Sequence, residues 1–184
     1  MKTVAEIEIT TEGVVLNGQC LETSGIGNDM LTDAYRRYVN DYPKFFKMDG
    51  LCRLGFLASE LILKNLKEER FTPRNDRAVI LFNRSGSIVA DVHYQSTIND
   101  TENFFPSPSV FVYTLPNIVT GEIAIRNHYQ GETSFFVLDH EDQSAIQTMI
   151  EASLADKCTK SVLTGWVDYY DDNHFEAKIK LIKR

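Results

Sequence analysis

A chain of 184 residues with 43% hydrophobic and 24% charged residues has the size and balance of one ordinary globular domain, and not the composition of a disordered polypeptide. Its formal net charge of −7 and pI near 5.1 repel phosphate backbones and anionic lipid, which excludes nucleic acid and membrane surfaces as expected partners. No apolar run approaches the ~18 residues of a membrane span, and the opening Met1-Lys2-Thr3-Val4-Ala5-Glu6 lacks the apolar core of a secretory leader, so a cytoplasmic setting is expected. Cys20, Cys52 and Cys158 are odd in number and lack metal-ligand spacing. They are expected to be free thiols, mostly buried, and neither a metal nor a cofactor is expected.

In chain order, Ala5, Ile7 and Ile9 alternate with acids over residues 4–9, the pattern of a half-buried strand. Gly13 and Asn17-Gly18 supply turn chemistry, so 14–16 is expected as its hairpin partner. Leu31, Ala34, Tyr35, Tyr38 and Val39 follow a helical period that Asp41-Tyr42-Pro43 closes. The clearest helix runs over 48–67, with Met48, Leu51, Leu54, Ala58, Leu61, Ile62 and Leu66 as its stripe and Lys64, Lys67 and Glu68 off it. Thr72 to Asp76 breaks the chain. Residues 78–82 are continuously apolar, as in a strand covered on both faces. A polar segment from Gly86 to Asn103 is expected to hold a short helix at 91–98.

Phe105-Pro106-Ser107-Pro108 reads as a rigid loop, and 109–114 is β-branched and aromatic. Leu115-Pro116-Asn117 then opens a helix with Ile118, Gly121, Ile125 and Tyr129 on one face. Gly131 leads into a strand at 134–138. Asp142 is placed to cap a helix at 143–155 carrying an apolar stripe of Ala145, Ile146, Met149, Ile150 and Leu154. Residues 161–167 form a strand, 169–173 a turn and 175–182 a last alternating strand. Strands interspersed with helices imply a single α/β domain.

No G-x-S-x-G elbow, Walker A loop, H-E-x-x-H or G-x-G-x-x-G occurs in the chain. The densest polar cluster is Asp139-His140-Glu141-Asp142, between a strand and a helix, where α/β folds bind ligands. Its acids are accounted for first as a capped helix N-terminus. The Asp168-Tyr169-Tyr170-Asp171-Asp172 run is read as a solvated turn before it is read as a cation site.

Three ordered stretches resemble the amino-terminal half of the β-ketoacyl-acyl carrier protein synthases. Lys47-Met48-Asp49-Gly50-Leu51-Cys52-Arg53-Leu54 with Ala58 looks like that family's basic-methionine-aspartate helix opening. Phe105-Pro106-Ser107-Pro108 through Leu115-Pro116-Asn117 to Gly121 and Ile123-Ala124-Ile125 resembles its proline-asparagine helix, and Gly131 follows. Val162-Leu163-Thr164-Gly165-Trp166-Val167-Asp168 is similar to its glycine-bearing strand. Together they span about 44–170. The resemblance implies a thiolase-like mixed sheet flanked by helices, one half of the ketosynthase fold, with residues 1–184 as a single ketosynthase N-terminal-like domain.

In that family a nucleophilic cysteine stands where a strand passes into a helix, because a helix N-terminus lowers a thiol pKa and its N–H groups hold an oxyanion. Counting back from Gly165 without a gap puts His140 at that position, between Asp139 and Glu141. Cys158 lies at the far end of the following helix, about 21 Å away for 14 residues. The family's two catalytic histidines belong to its carboxy-terminal half, and nothing after Asp168 resembles them. The resemblance therefore implies a cysteine-less, chain-length-factor-like auxiliary subunit of a type II fatty-acid-like or polyketide (aryl polyene-like) pathway.

The partners that it implies are a full-length ketosynthase, a second copy meeting it through strand 133–138, and acyl carrier protein. A basic patch around Arg36, Arg37, Lys44 and Lys47 stands against the acidic whole. A missing second half is expected to leave an apolar helix face uncovered. Two alternatives remain. One is a residual malonyl decarboxylase or hydrolase using His140 and Glu141. The other is an acyl-chain binding protein whose pocket is lined by Phe111, Tyr113, Phe135 and Phe136, with Gln143 nearby.

Overall fold

Successive side chains of a strand point to opposite faces, so Ala5, Ile7 and Ile9 have to share one. In the computed structural model, which describes residues 1–66, 68–100, 102 and 105–184, they are buried on strand β1 (Lys2–Thr10), while Glu6 and Glu8 are exposed. β1 returns as β2 (Gly13–Leu16). Asn17 and Gly18, both at positive φ, then turn the chain into the short strand β3 (Gln19–Cys20), as a two-residue hairpin of right-handed strands requires.

Helix α1 (Gly27–Tyr38) and a 3-10 turn at Pro43–Lys47 lead to α2 (Gly50–Asn65). Asp49 caps α2, accepting the Cys52 N–H at 3.0 Å. Strand β4 (Arg77–Asn83) is buried at every residue. α3 (Ile88–Ser96) follows, then the short turns α4 (Pro108–Phe111) and Val112–Thr114, and α5 (Ile118–Asn127). The chain closes with β5 (Thr133–Val137), α6 (Gln143–Ala155), β6 (Ser161–Asp171) and β7 (His174–Lys183).

The seven strands form one mixed sheet in the order β3-β2-β1-β7-β6-β4-β5. β5 and β6 run parallel to β4 on either side of it, and β7 is antiparallel to both β6 and β1. One face carries the large core, which holds Met30 and Leu31 from α1, Leu54 and Leu57 from α2 and Ile123 from α5. α6 lies on the other face, with Ile146, Ile150 and Leu154 on Ile80, Phe82, Val162 and Trp166. Among the described residues, no helix is long and apolar enough to cross a membrane.

Several sequence expectations are corrected. The buried face of α5 carries Val119, Ile123 and Asn127, while Ile125 points outward and is 64% exposed, because the sheet lies on the side that Gly121 does not face. β6 continues through Tyr169 and Tyr170 to Asp171, paired with β7, where a turn was expected. Two of the three thiols, Cys20 and Cys158, are exposed and only Cys52 is buried, since β3 is an edge strand and Cys158 follows the end of α6. The uncovered side of α6 is polar or small, with Ser144, Thr148, Glu151 and Ala152 exposed. The expected apolar helix face is absent there. Lys67 and Asn103, at the ends of two expected segments, lie outside the described residues.

One buried charge anchors the sheet's lower rim. The Arg77 guanidinium, 1% exposed, bonds Glu68 at 2.8 Å, Ser161 at 3.0 Å and Tyr129 at 3.1 Å, and Lys183 reaches the same Glu68 at 2.6 Å. Burial pushes the Glu68 carboxyl up, but the hydrogen bonds from Lys183 and Arg77 more than offset this and hold it down at about 2. A carboxyl lowered on folding stabilises above its ordinary value of 4.5, and that stability is lost as pH falls. Unfolding by urea is therefore expected to show stability falling between about pH 5 and pH 2, with this fall reduced in Glu68→Gln. A Cβ at Gly165 would stand 1.9 Å from the Lys178 carbonyl oxygen, so Gly165→Ala is expected to cost about 2–4 kcal/mol in the same titration.

Candidate functional site

The corner between β5 and α6 is assembled from its own residues. The Leu138 N–H bonds the Asn83 carbonyl at 2.8 Å, which holds the end of β5 against β4. Asp142 then caps α6. Its Oδ1 accepts the N–H groups of Ser144 at 2.9 Å and Ala145 at 3.1 Å, and the Ser144 hydroxyl at 2.8 Å. The Ser144 hydroxyl first, then the two N–H groups, hold the Asp142 carboxyl below the ordinary range.

His140 stands in the same turn with its side chain 69% exposed and Nδ1 2.7 Å from Asp139 Oδ1. Glu141 accepts a hydrogen bond from Gln143 Nε2 at 2.7 Å. No thiol occurs between 138 and 143. N–H groups at a helix start are the usual holders of an oxyanion, and here Asp142 occupies two of them. An exposed imidazole beside carboxylates, with those donors taken, is a poor place to build negative charge. Among the described residues, no group of three or more His, Cys, Asp or Glu is placed to hold a metal ion.

Beside this corner runs a groove of about 410 Å³ along the sheet, with Glu141, Gln143 and Ile146 on one wall and Gly165, Trp166, Lys178 and Lys180 below. Glu6 faces Lys180 and Glu8 faces Lys178 across β1 and β7, so the sheet surface beyond α6 is a ladder of opposite charges. Gln143 belongs to this groove. Tyr113 lines a separate cleft of about 660 Å³, bounded by residues of α2, α3, α4 and α5. Phe136 stacks on Phe82 at 5.5 Å under α6, Phe135 packs on the large core, and Phe111 is 48% exposed. The fold does not bring these five residues into one pocket.

Two features escaped the sequence reading. Asp168 is buried, and it accepts the backbone N–H groups of Arg84 at 3.2 Å and Ser85 at 3.0 Å and the Ser85 hydroxyl at 2.7 Å. It closes the end of β4 instead of facing solvent. The cleft at Tyr113 was signalled only by Lys47-Met48-Asp49, because its other walls are distant in sequence.

No protein-family model matches this chain, and no curated protein sequence does. Solved structures do. The ishigamide ketosynthase/chain length factor superposes with a TM-score of 0.70 at 13% identity, over 99% of this chain and 61% of that one. The ketosynthase ApeO in complex with its chain length factor ApeC from Xenorhabdus doucetiae gives 0.57 at 13%, over 91% and 66%. A type II polyketide synthase acyl-carrier protein in complex with its ketosynthase, AntDE:AntF, gives 0.58 at 12%, over 99% and 62%. The fold is that of the ketosynthases and chain length factors. The chain spans about three fifths of the length of the solved chains it matches.

The corner makes a definite prediction. Asp142→Ala removes the α6 cap and is expected to lower stability by about 1 kcal/mol in urea. His140→Ala, on an exposed side chain, is expected to stay within about 0.5 kcal/mol of the parent.

Proposed function

We propose that this chain is a non-catalytic, chain-length-factor-like subunit that assists a ketosynthase in a type II fatty-acid-like or polyketide pathway of the aryl polyene kind. The observation that carries the reading is the β5–α6 corner. We read this corner, by the count back from Gly165, as the place where ketosynthase-like chemistry needs a thiolate and free N–H donors, and it holds His140 among carboxylates and a helix start satisfied by Asp142. Residues 1–184 are read as one amino-terminal-like ketosynthase half working in the cytoplasm. The partial coverage of the matched chains supports this division.

The surface supports a protein partner. β5 ends the sheet with the uncharged sequence Thr133-Ser134-Phe135-Phe136-Val137, and an open edge of that kind is a template for a further strand. Next to it a Cβ at Gly86 would lie 3.9 Å from Val137, and the adjoining α3 and α4 expose Ile88, Val92 and Phe111. Exposed apolar side chains beside an open edge suit a ketosynthase chain or a second copy. Arg36 and Lys47 supply basic charge for an acidic carrier protein, while Lys44 is paired with Glu122.

Co-expression with the ketosynthases of its own genome, followed by light scattering, tests the reading. A complex with a ketosynthase is expected, weakened at least about tenfold by Val137→Lys together with Val92→Lys, as loss of a central apolar contact implies. Turnover of malonyl-carrier protein is expected to be negligible and equal for the parent and His140→Ala. A monomer that captures no ketosynthase, or turnover that depends on His140, overturns the proposal, and the latter outcome would establish a decarboxylase or hydrolase.

A further inference from the structure

The lower rim of the sheet, where β4, β5 and β6 begin, lies at the opposite end from the β5–α6 corner, and its register sets cations side by side. Lys2 stands directly opposite Lys183 across β1 and β7, and Lys183 stands opposite Ser161, the first residue of β6. The Arg184 N–H bonds the Lys160 carbonyl at 3.0 Å, which joins the residues flanking β6 and β7. The Arg184 guanidinium donates to the Asp156 carbonyl at 2.8 Å, beside Lys157 just past the end of α6. Like charges directly opposed across two strands are destabilising. Lys2 is exposed, and its side chain makes no hydrogen bond or ion pair among the described residues.

The carboxylates of this rim are already shared. Glu68 takes Arg74 at 3.3 Å, Arg77 at 2.8 Å and Lys183 at 2.6 Å. Asp76 takes Arg74 at 2.8 Å and lies 3.7 Å from Lys160, whose side chain is 73% exposed. Of the other acids nearby, Glu132 accepts the hydroxyls of Ser134 and Ser153, Asp156 accepts the Cys158 N–H, and Glu69 is exposed. Lys2, Lys157 and Arg184 face no carboxylate within ion-pair distance among the described residues. Cations therefore outnumber acids here, in a chain of net −7. The carboxyl end of a helix attracts cations, which accounts for Arg184 at the Asp156 carbonyl and leaves Lys2 unexplained. A local rule broken with no compensation inside the fold marks a functional surface.

We infer that this basic rim docks an acidic polypeptide segment, a run of aspartates and glutamates on a partner protein, with Lys2, Lys157, Lys160 and Arg184 as its contacts. Separate carboxylates along such a run reach cations spread over the ends of β1, α6 and β7 one by one. An extended polyanion, such as a nucleic-acid backbone or an anionic bilayer, is held off by the acidic charge of the rest of the chain. The surface is separate from Arg36 and Lys47, which stand on α1 and the 3-10 turn after it. It does not depend on the reading given to the β5–α6 corner.

Fluorescence anisotropy of a labelled octaglutamate peptide titrated with the full chain tests the proposal, with octaglutamine and phosphatidylserine vesicles as the contrasting probes. Saturable binding of octaglutamate is expected, lost at about 0.5 M salt through screening, with no binding of octaglutamine or of the vesicles. Lys2→Glu combined with Lys157→Glu and Lys160→Glu is expected to weaken binding at least about tenfold, since each exposed ion pair is worth up to about fivefold. Lys157→Gln, on an exposed side chain without a partner, serves as the variant that leaves folding untouched and is expected to weaken binding about twofold. Lys47→Glu is expected to leave it unchanged. No saturable binding, equal binding of octaglutamine, preferential binding of the vesicles, affinity unchanged in both rim variants, or an equal loss in Lys47→Glu overturns the proposal.

Discussion

Strand β4 is dry along its whole length, and the rest of the molecule is organised by that constraint. A strand with Ala78, Ile80 and Phe82 facing one side and Val79 and Leu81 the other needs a layer on each face and a neighbour on each edge. α2 and α5 supply one layer, α6 the other, and β5 and β6 pair with both edges in parallel. Because the three strands are parallel, their carboxyl ends arrive at the same rim. The β5–α6 corner, the Asp168 carboxylate and the start of α3 therefore lie along one end of the sheet.

The two faces of the sheet are unequal in chemistry. On the α1, α2 and α5 side the apolar surface is deep and continuous. On the α6 side it ends where the helix ends, and the ladder of Glu6, Glu8, Lys178 and Lys180 takes over. This division decides where a partner finds apolar area. It is offered at the β5 edge and on α3 and α4, where Val137, Val92 and Phe111 are exposed, and not on the outer side of α6. A helix start that satisfies its own N–H groups with Asp142 belongs to the same pattern, in which the α6 side is finished against water.

Polar groups inside the larger core follow a different rule. Glu60, 1% exposed, is paired with Arg70 and Arg126, and Arg77 with Glu68. Each of these charges has an opposite neighbour, which removes most of its desolvation cost.

Much was determined by the sequence alone. The alternation of Ala5, Ile7 and Ile9, the stripe of α2, the continuous apolar run of β4 and Asp142 at the start of α6 are local signals, written within a few residues of one another, and each became the element it implied. The α/β class followed from their order, and the ketosynthase-like fold from the resemblance of the stretches at 47–54, 105–125 and 162–168. Only the tertiary structure decided which side of α5 is buried, that 109–114 coils into turns, that Asp168 points inward, and that Phe111, Tyr113, Phe135, Phe136 and Gln143 part company. A residue's burial and partners are set by what packs against it from distant parts of the chain. The cleft at Tyr113 draws its walls from between Lys44 and Glu122, on α2, α3, α4 and α5, and no local period records that meeting.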